Sequence, residues 1–215
     1  MEDILLIDKP KGITSFDVIR RLRRKLGIRK LGHAGTLDPN ASGLLIVGVG
    51  KGTKRLHEYM AQPKTYVMDV LLGIRTETGD TEGRVVEEKP VTDIDRGKLD
   101  SVLREMIGEV ELAVPIYSAL KHKGKPLYAY ARKGIPVEPK IRKMEIRSLR
   151  LLDVSRFNLG TVLRIEMSCG KGTYARSVAE EIGRRLGAPA TVKDLRRTRI
   201  GEFSVDQAET LSDAY

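Results

Sequence analysis

The chain has no tryptophan, three histidines, three phenylalanines and one cysteine among its 215 residues. Cys169 therefore has no partner for an internal disulfide, and nothing points to an oxidising compartment. Three scattered histidines and that cysteine do not make a structural zinc set, which needs four clustered ligands. Long apolar runs are missing too. No stretch nears the ~20 residues that cross a bilayer, and the apolar run in the acidic start "MEDILLIDKPKG" is too short for a signal peptide. We expect a soluble cytoplasmic protein with no membrane partner and, for want of an obvious apolar stripe, a monomer.

Negative charge is the scarcer kind. Thirty-nine lysines and arginines against 29 acids leave a net +10, which makes a polyanion the first partner to consider. Charge alone does not separate RNA from DNA or anionic lipid. The 40% of hydrophobic residues suffice for one sizeable core. Against this basic background, "LGHAGTLDPNASGLLIVGVG" at 31–50 holds one carboxylate, Asp38, among glycines, small residues and apolar residues. A solvated Asp-Pro turn explains the acid but neither the Gly-His-Ala-Gly before it nor the buried-looking run after it.

The patterning predicts an α+β fold with a mixed, mostly antiparallel sheet flanked by helices, because strands arrive in groups rather than alternating strictly with helices. "DILLIDK" reads as a strand ended by a Lys-Pro-Lys-Gly turn. "SFDVIRRLRRKLG" reads as a helix with Ser15 as N-cap, Ile19, Leu22 and Leu26 on one face, and Gly27 at its stop. Its other face carries Arg20, Arg23 and Arg24, either a solvated surface or a phosphate-contacting one. "GLLIVGVG" and "KTYVMDVLLG" read as strands, and "GRVVEEKPV" as a shorter edge strand broken by Pro90. "DRGKLDSVLREMIG" fits a helix with Leu99, Val102, Leu103, Met106 and Ile107 inward. In "TVLRIEMSC" Leu163, Ile165, Met167 and Cys169 alternate with polar residues. "TYARSVAEEIGRRLG" places Tyr174, Val178, Ile182 and Leu186 in a helical stripe. Residues 117–143 are basic and interleave rings with lysines, which suits single-stranded nucleic acid or a short surface helix, "PLYAYARKG".

Two glycine-lysine clusters, "GVGKGTKR" and "CGKGTYAR", fail as P-loops because a glycine follows each lysine where Ser or Thr should stand. No dinucleotide fingerprint occurs, so no nucleotide cofactor is expected. Four separated pieces do hold together: "DKPKG" at 8–12, "GHAGTLDPNASGLL" at 32–45, "KTYVMDVLLG" at 64–73 and "GKGTYARSV" at 170–178. In that order they resemble the tRNA pseudouridine synthase B (TruB) family. "GIRTETGDTEG" and "VPIYSALKHKGKPLYAYAR" extend the resemblance over essentially the whole chain.

The resemblance implies a cofactor-free isomerase of the pseudouridine synthase fold. It would detach uracil from ribose, turn the base over and rejoin it through carbon, at the T-loop uridine of tRNA (position 55 in tRNA numbering). Asp38 matches the catalytic aspartate, attacking either the sugar C1′ or the uracil C6. Arg176 matches the arginine of Gly-Thr-Tyr-x-Arg-Ser, expected to keep the acid ionised. Tyr66 matches the tyrosine that stacks on the flipped uracil and helps remove its C5 proton. Among substrate-pocket positions, Lys9 and Pro10 match a segment supporting that tyrosine, and Leu195 an apolar wall. Tyr174 stands in the same segment as Arg176, and His33 matches the histidine next to the catalytic loop, expected either to take the place of a displaced base or to contact the bent backbone. Arg20, Arg23, Arg24, Lys121 and Lys123 are the expected contacts to the RNA backbone, and 117–143 matches a mobile insertion that closes over it. The resemblance implies one catalytic domain over 1–215. Bacterial members usually continue into a PUA domain, whereas this sequence ends at Tyr215. An RNA-guided synthase of ribosomal RNA also carries that domain, which argues against that alternative; a non-catalytic tRNA-binding or RNA-folding protein is the other.

Overall fold

Ser42–Val49 contains no charge and nothing larger than leucine or isoleucine, so it needs cover on both faces. The computed structural model, which describes residues 4–158 and 160–211, provides that cover. The acidic residues ahead of Ile4 and the end at Tyr215, both used above, lie outside the described residues.

In chain order the elements are β1 (Ile4–Lys9), α1 (Ser15–Leu26), β2 (Leu31–His33), β3 (Ser42–Val49), α2 (Leu56–Ala61) and β4 (Lys64–Leu72). Next come β5 (Ile74–Thr76), β6 (Val85–Glu88), α3 (Arg96–Glu105), β7 (Gly108–Ala113), β8 (Lys121–His122), β9 (Lys125–Pro126) and α4 (Leu127–Ala131). The chain then forms β10 (Ile141–Phe157), β11 (Gly160–Cys169), α5 (Ala175–Leu186), β12 (Ala190–Ile200), β13 (Phe203–Ser204) and β14 (Glu209–Thr210). By contacts it divides into two compact units: Met1–Val67, Met167–Lys171 and Asp194–Tyr215 form the first, Met68–Glu166 and Gly172–Lys193 the second. Strands β4, β11 and β12 contribute residues to both.

In the first unit the strand order β14-β1-β3-β12 mixes senses: β1–β3 is antiparallel, β1–β14 and β12–β3 are parallel. On one side of β3, Leu45, Val47 and Val49 join Val18, Ile19 and Leu22 of α1 with Ile7 and Leu31. On the other, Leu44 and Ile46 meet Ala34, Tyr59 and Ile200. That two-sided burial explains the unbroken apolar run. One expectation needs correction here: Thr14, not Ser15, caps α1. Its hydroxyl accepts from the Asp17 N–H (3.0 Å) while the Asp17 carboxylate accepts from the Thr14 N–H (2.8 Å), a reciprocal capping box. Ser15 is buried inside the first turn, where its Oγ donates to Leu37 O (3.1 Å) and accepts from Leu37 N (2.9 Å).

In the second unit β10 pairs antiparallel with β7, and β5 with β6. Leu99, Val102, Leu103 and Met106 are buried as expected, but Ile107 is 47% exposed because α3 ends at Glu105 and the chain turns away. The helix α5 starts at Ala175, so Tyr174 is its N-cap rather than the first residue of its apolar stripe. Within 117–143, β8 and β9 form a hairpin whose turn residues Lys123 and Gly124 both have positive φ (47° and 81°), the geometry of a two-residue hairpin loop. The short helix α4 follows, and Tyr130 packs edge-on against His122 (5.5 Å between rings) and donates to its carbonyl (3.0 Å). Among the described residues no helix is long and apolar enough to cross a membrane, and no group of three or more His, Cys, Asp or Glu could hold a metal ion.

β12 pairs beside β3, with Arg197 opposite Gly43. Gly43 has φ +105°, and a Cβ there would stand 2.2 Å from Arg197 O and 2.8 Å from its N. Both atoms are main chain, so the clash has no soft side. Gly43→Ala is expected to cost about 2–4 kcal/mol of stability, from overpacking together with backbone strain, read as a lowered denaturant midpoint at unchanged slope.

Candidate active site

The segment carrying Asp38 leaves β2 and regains regular structure only at Ser42, so its peptide groups find no partners in a strand ladder. They are satisfied individually. Asp38 O accepts from Ala41 N (3.1 Å), closing a turn with Pro39 at its second position, the place proline's fixed φ suits. Leu37 is held on both sides by Ser15 Oγ. Pro39 O accepts from Gly12 N (2.9 Å) and from Lys9 Nζ (3.3 Å). The Asp-Pro turn is real, but it is also pinned from β1 and α1. Asp38 itself is partly buried.

Lys9 is fully buried and donates to three carbonyls: Pro10 (2.8 Å), Ile13 (2.8 Å) and Pro39 (3.3 Å). Burial lowers its pKa from 10.5 to about 8, with the Asp38 carboxylate opposing that shift and the Arg197 guanidinium adding to it. These partners are main-chain carbonyls of the loops around Asp38, which fits support rather than chemistry. Pro10 is exposed. Lys64 opens β4 and donates to Met60 O and Gln62 O (2.6 Å each), capping the carbonyl end of α2. Burial lowers its pKa to about 8 too.

Tyr66 is partly buried in β4 of the same unit. Its surroundings raise the phenol pKa by desolvation, and the nearby Arg197 guanidinium charge opposes this. The Asp38 charge also acts on Tyr66, in the raising sense. His33, in β2, has its pKa lowered by burial first and by Arg197 second, so its neutral form is favoured, and its Nδ1 is enclosed without a hydrogen-bond partner. Leu195 is partly exposed on β12. Asp38, Tyr66, Lys9, Pro10, His33 and Leu195 thus all belong to the first unit.

Arg176 and Tyr174 belong to the second. Arg176, in the first turn of α5, is 7% exposed and donates from Nη1 to Thr78 O (2.8 Å) and from Nη2 to Tyr117 O (3.0 Å). Gly79 (φ +76°) lies against it, since a Cβ there would stand 3.2 Å from Arg176 Cβ. Two carbonyls on one guanidinium fix its plane. Of the expected backbone contacts, Arg20 is exposed and ion-paired with Asp17, and Arg24 is exposed. Arg23 is partly buried, donates to Leu31 O (3.2 Å) and lies 5.6 Å over the Phe16 ring. Lys121 and Lys123 are exposed on the β8–β9 hairpin.

The sequence reading missed Arg197. It is 1% exposed, donates from Nε to Leu44 O (2.8 Å) and from Nη2 to Gly35 O (3.2 Å), and bears on Lys9, His33, Lys64 and Tyr66. A strand assignment over "TVKDLRRTRIG" would have put it on one face with Leu195, but nothing in the sequence marks that face as buried.

Residues 23–175 match the family model of the TruB family pseudouridylate synthase N-terminal domain. The chain is similar to a tRNA pseudouridine synthase B of Aromatoleum aromaticum, 46% identical over 212 residues that cover 99% of this chain and 67% of that protein. A tRNA pseudouridine synthase B of Geobacillus kaustophilus is 43% identical over 216 residues, covering 99% and 76%. Among solved structures, a chain in a Cbf5–Nop10–Gar1 complex superposes with a TM-score of 0.73 at 28% identity over 97% of this chain, which spans about half (52%) of that one. A family model matched over most of the sequence, on a fold of the same kind and with whole-length relatives above 40% identity, places this chain in the TruB family of pseudouridylate synthases.

Proposed function

We propose that this chain isomerises uridine to pseudouridine in tRNA, at the T-loop position 55, with Asp38 as nucleophile towards a base flipped out of its stack. The observation that carries the proposal is the setting of Asp38. It stands on a turn whose flanking carbonyls are held by the buried cations Lys9 and Arg197, and its charge reaches Tyr66. Relatives named tRNA pseudouridine synthase B are 40–46% identical to this chain, against 26–28% for chains from H/ACA and Cbf5 complexes. That difference favours tRNA over an RNA-guided target.

A carboxylate nucleophile must be ionised, partly dehydrated and held in position. Dehydration favours the protonated acid, and nearby fixed cations offset this. Asp38 attacks C1′ or C6, the C1′–N1 bond breaks, the uracil turns, and a C1′–C5 bond forms. The C5 proton then leaves while N1 gains one, so reactant and product have the same atoms and no cofactor is consumed. Tyr66 stacks on the uracil and assists that proton's departure. Arg176 joins them as a catalytic residue on the strength of its motif, with its plane fixed as described. Leu195 lines the base pocket, and Tyr174 contacts substrate. His33, held neutral, takes the place of the extruded base.

Extrusion from the T loop costs a few kcal/mol. Cationic contacts to phosphates offset it, supplied by Arg20, Arg24, Lys121 and Lys123, while Arg23 acts from its half-buried position. Residues 117–143 close over the RNA in this proposal.

Incubation with unmodified tRNA should produce a carbodiimide-dependent reverse-transcription stop in the T loop. Asp38→Asn should abolish the stop while tRNA binding by filter assay stays within about threefold, a difference of well under 1 kcal/mol; a variant that still modifies tRNA rules the mechanism out. Tyr66→Phe keeps the stacking ring and loses the hydroxyl. Its single-turnover rate should drop roughly 10²-fold or more, the usual weight of a positioned proton-transfer group, and a rate near the parent's would remove that role.

A further inference from the structure

Two hydroxyl side chains stand at the start of α1, and they are used differently. Thr14 caps the helix, whereas Ser15, 2% exposed, directs its Oγ away from the helix and onto Leu37. That oxygen donates to Leu37 O (3.1 Å) and accepts from Leu37 N (2.9 Å). A serine hydroxyl has one proton and two lone pairs, so it can make both bonds at once. In an antiparallel ladder a neighbouring strand takes the N–H and C=O of one residue together; here a single side chain does so. Leu37 is itself 3% exposed, which leaves water little access to either group. The next residue is Asp38. Proline at 39 confines the Asp38 backbone to extended conformations, and Asp38 O accepts from Ala41 N (3.1 Å). Pro39 O is held in turn by Gly12 N (2.9 Å) and Lys9 Nζ (3.3 Å). The carbonyl entering the acid is therefore held by Ser15 and the one leaving it by the turn.

From this geometry we infer that Ser15 is a positioning residue for catalysis: its hydroxyl fixes the main chain of Leu37 and, through it, the direction in which Asp38 presents its carboxylate. The inference deepens the proposed reaction and rests on it. Ser15 acts through the backbone of its neighbour in space and takes no part in bond making or proton transfer. The helix that carries it is a firm frame, since Val18, Ile19 and Leu22 of α1 pack against Leu45, Val47 and Val49 of β3. The same helix bears Arg20 and Arg24, the phosphate contacts proposed above, so the acid and the grip on RNA are referred to one rigid element. Attack by a nucleophile depends steeply on placement, and a displacement of about 1 Å can cost roughly 10²-fold in rate. Without the Ser15 oxygen, the Leu37 N–H and C=O lose this partner in a buried place, and the loop gains a reason to shift until they find another. Helix capping is a separate function, because the Thr14 and Asp17 pair supplies it.

The test compares Ser15→Ala with Thr14→Ala in the full chain. Each variant removes one hydroxyl from the start of α1, and each should lower the denaturant midpoint. Only Ser15→Ala should slow the chemistry. Its single-turnover rate on unmodified tRNA, and kcat with it, should fall roughly 10²-fold, while KM and the Kd for tRNA stay within about threefold of the parent's. Thr14→Ala should keep the parent's rate. A parent-like rate in folded Ser15→Ala protein, a loss confined to KM, or equal rate losses in the two variants overturns the inference; the last would mark general destabilisation. If Ser15→Ala does not fold, amide exchange in the parent protein decides. There the Leu37 N–H should exchange at least about 100-fold more slowly than in an unstructured chain, and an unprotected amide overturns the inference. Asp38→Asn, measured alongside, separates the two readings. If it still modifies tRNA the proposed reaction fails, whereas an inactive Asp38→Asn beside an unimpaired Ser15→Ala removes only the role of Ser15.

Discussion

The carbonyl oxygens around Asp38 have to be satisfied where no strand can satisfy them. An irregular loop beside a core exposes main-chain acceptors to a dry environment, at a cost comparable to a lost hydrogen bond for each. Two buried cations supply the donors. Lys9 covers Pro10, Ile13 and Pro39, and Arg197 covers Gly35 in the loop and reaches Leu44 just inside β3. The rest of the first unit is arranged so that these side chains arrive: β1 ends at Lys9, and β12 passes β3 closely enough to require glycine at 43. Ser15 gives up the helix cap to Thr14 and holds Leu37 instead.

Burying that much positive charge has electrostatic consequences. Lys9 and Lys64 are both drawn down to about 8 chiefly by burial, and Arg197 adds to each shift. His33 follows the same trend. The local acid works the other way, since Asp38 raises the proton affinity of Lys9 and of Tyr66. A carboxylate is thus the natural complement of this neighbourhood, because the protein sets fixed positive charge around it. The opening oddity of one acid in a glycine-rich, apolar run is resolved by charges that are distant in sequence.

The second unit positions its own arginine by the same device. Arg176 is buried near the start of α5 and satisfied by two carbonyls, from Thr78 and Tyr117. The Thr78 turn is itself tied down: Thr78 Oγ1 donates to the Asp80 carboxylate (2.6 Å), and Thr76 Oγ1 to Asp80 O (2.6 Å). In each unit, side chains stiffen an irregular segment that regular secondary structure leaves free, and a candidate site residue sits on or against that segment.

The fold class, the helices α1, α3 and α5 and the strands β3, β4 and β11 were legible because each is written in local periodicity and in turn and cap residues. Asp38, Tyr66 and Arg176 were singled out by contiguous motifs, and the structure shows what surrounds each in its own unit. The cap at Thr14, the exposure of Ile107 and the N-cap place of Tyr174 were not legible, since they turn on a few hydrogen bonds at element ends. Arg197 was the larger omission. In sequence it is one of two adjacent arginines in a basic chain, and Arg196 beside it forms a partly exposed ion pair with Asp8 (2.7 Å). Local pattern determined which segments could form strands and helices and which motifs they carried. Which of two neighbouring guanidinium groups is buried was decided only by the tertiary structure, because burial depends on the register in which β12 pairs with β3, and no residue encodes that alone.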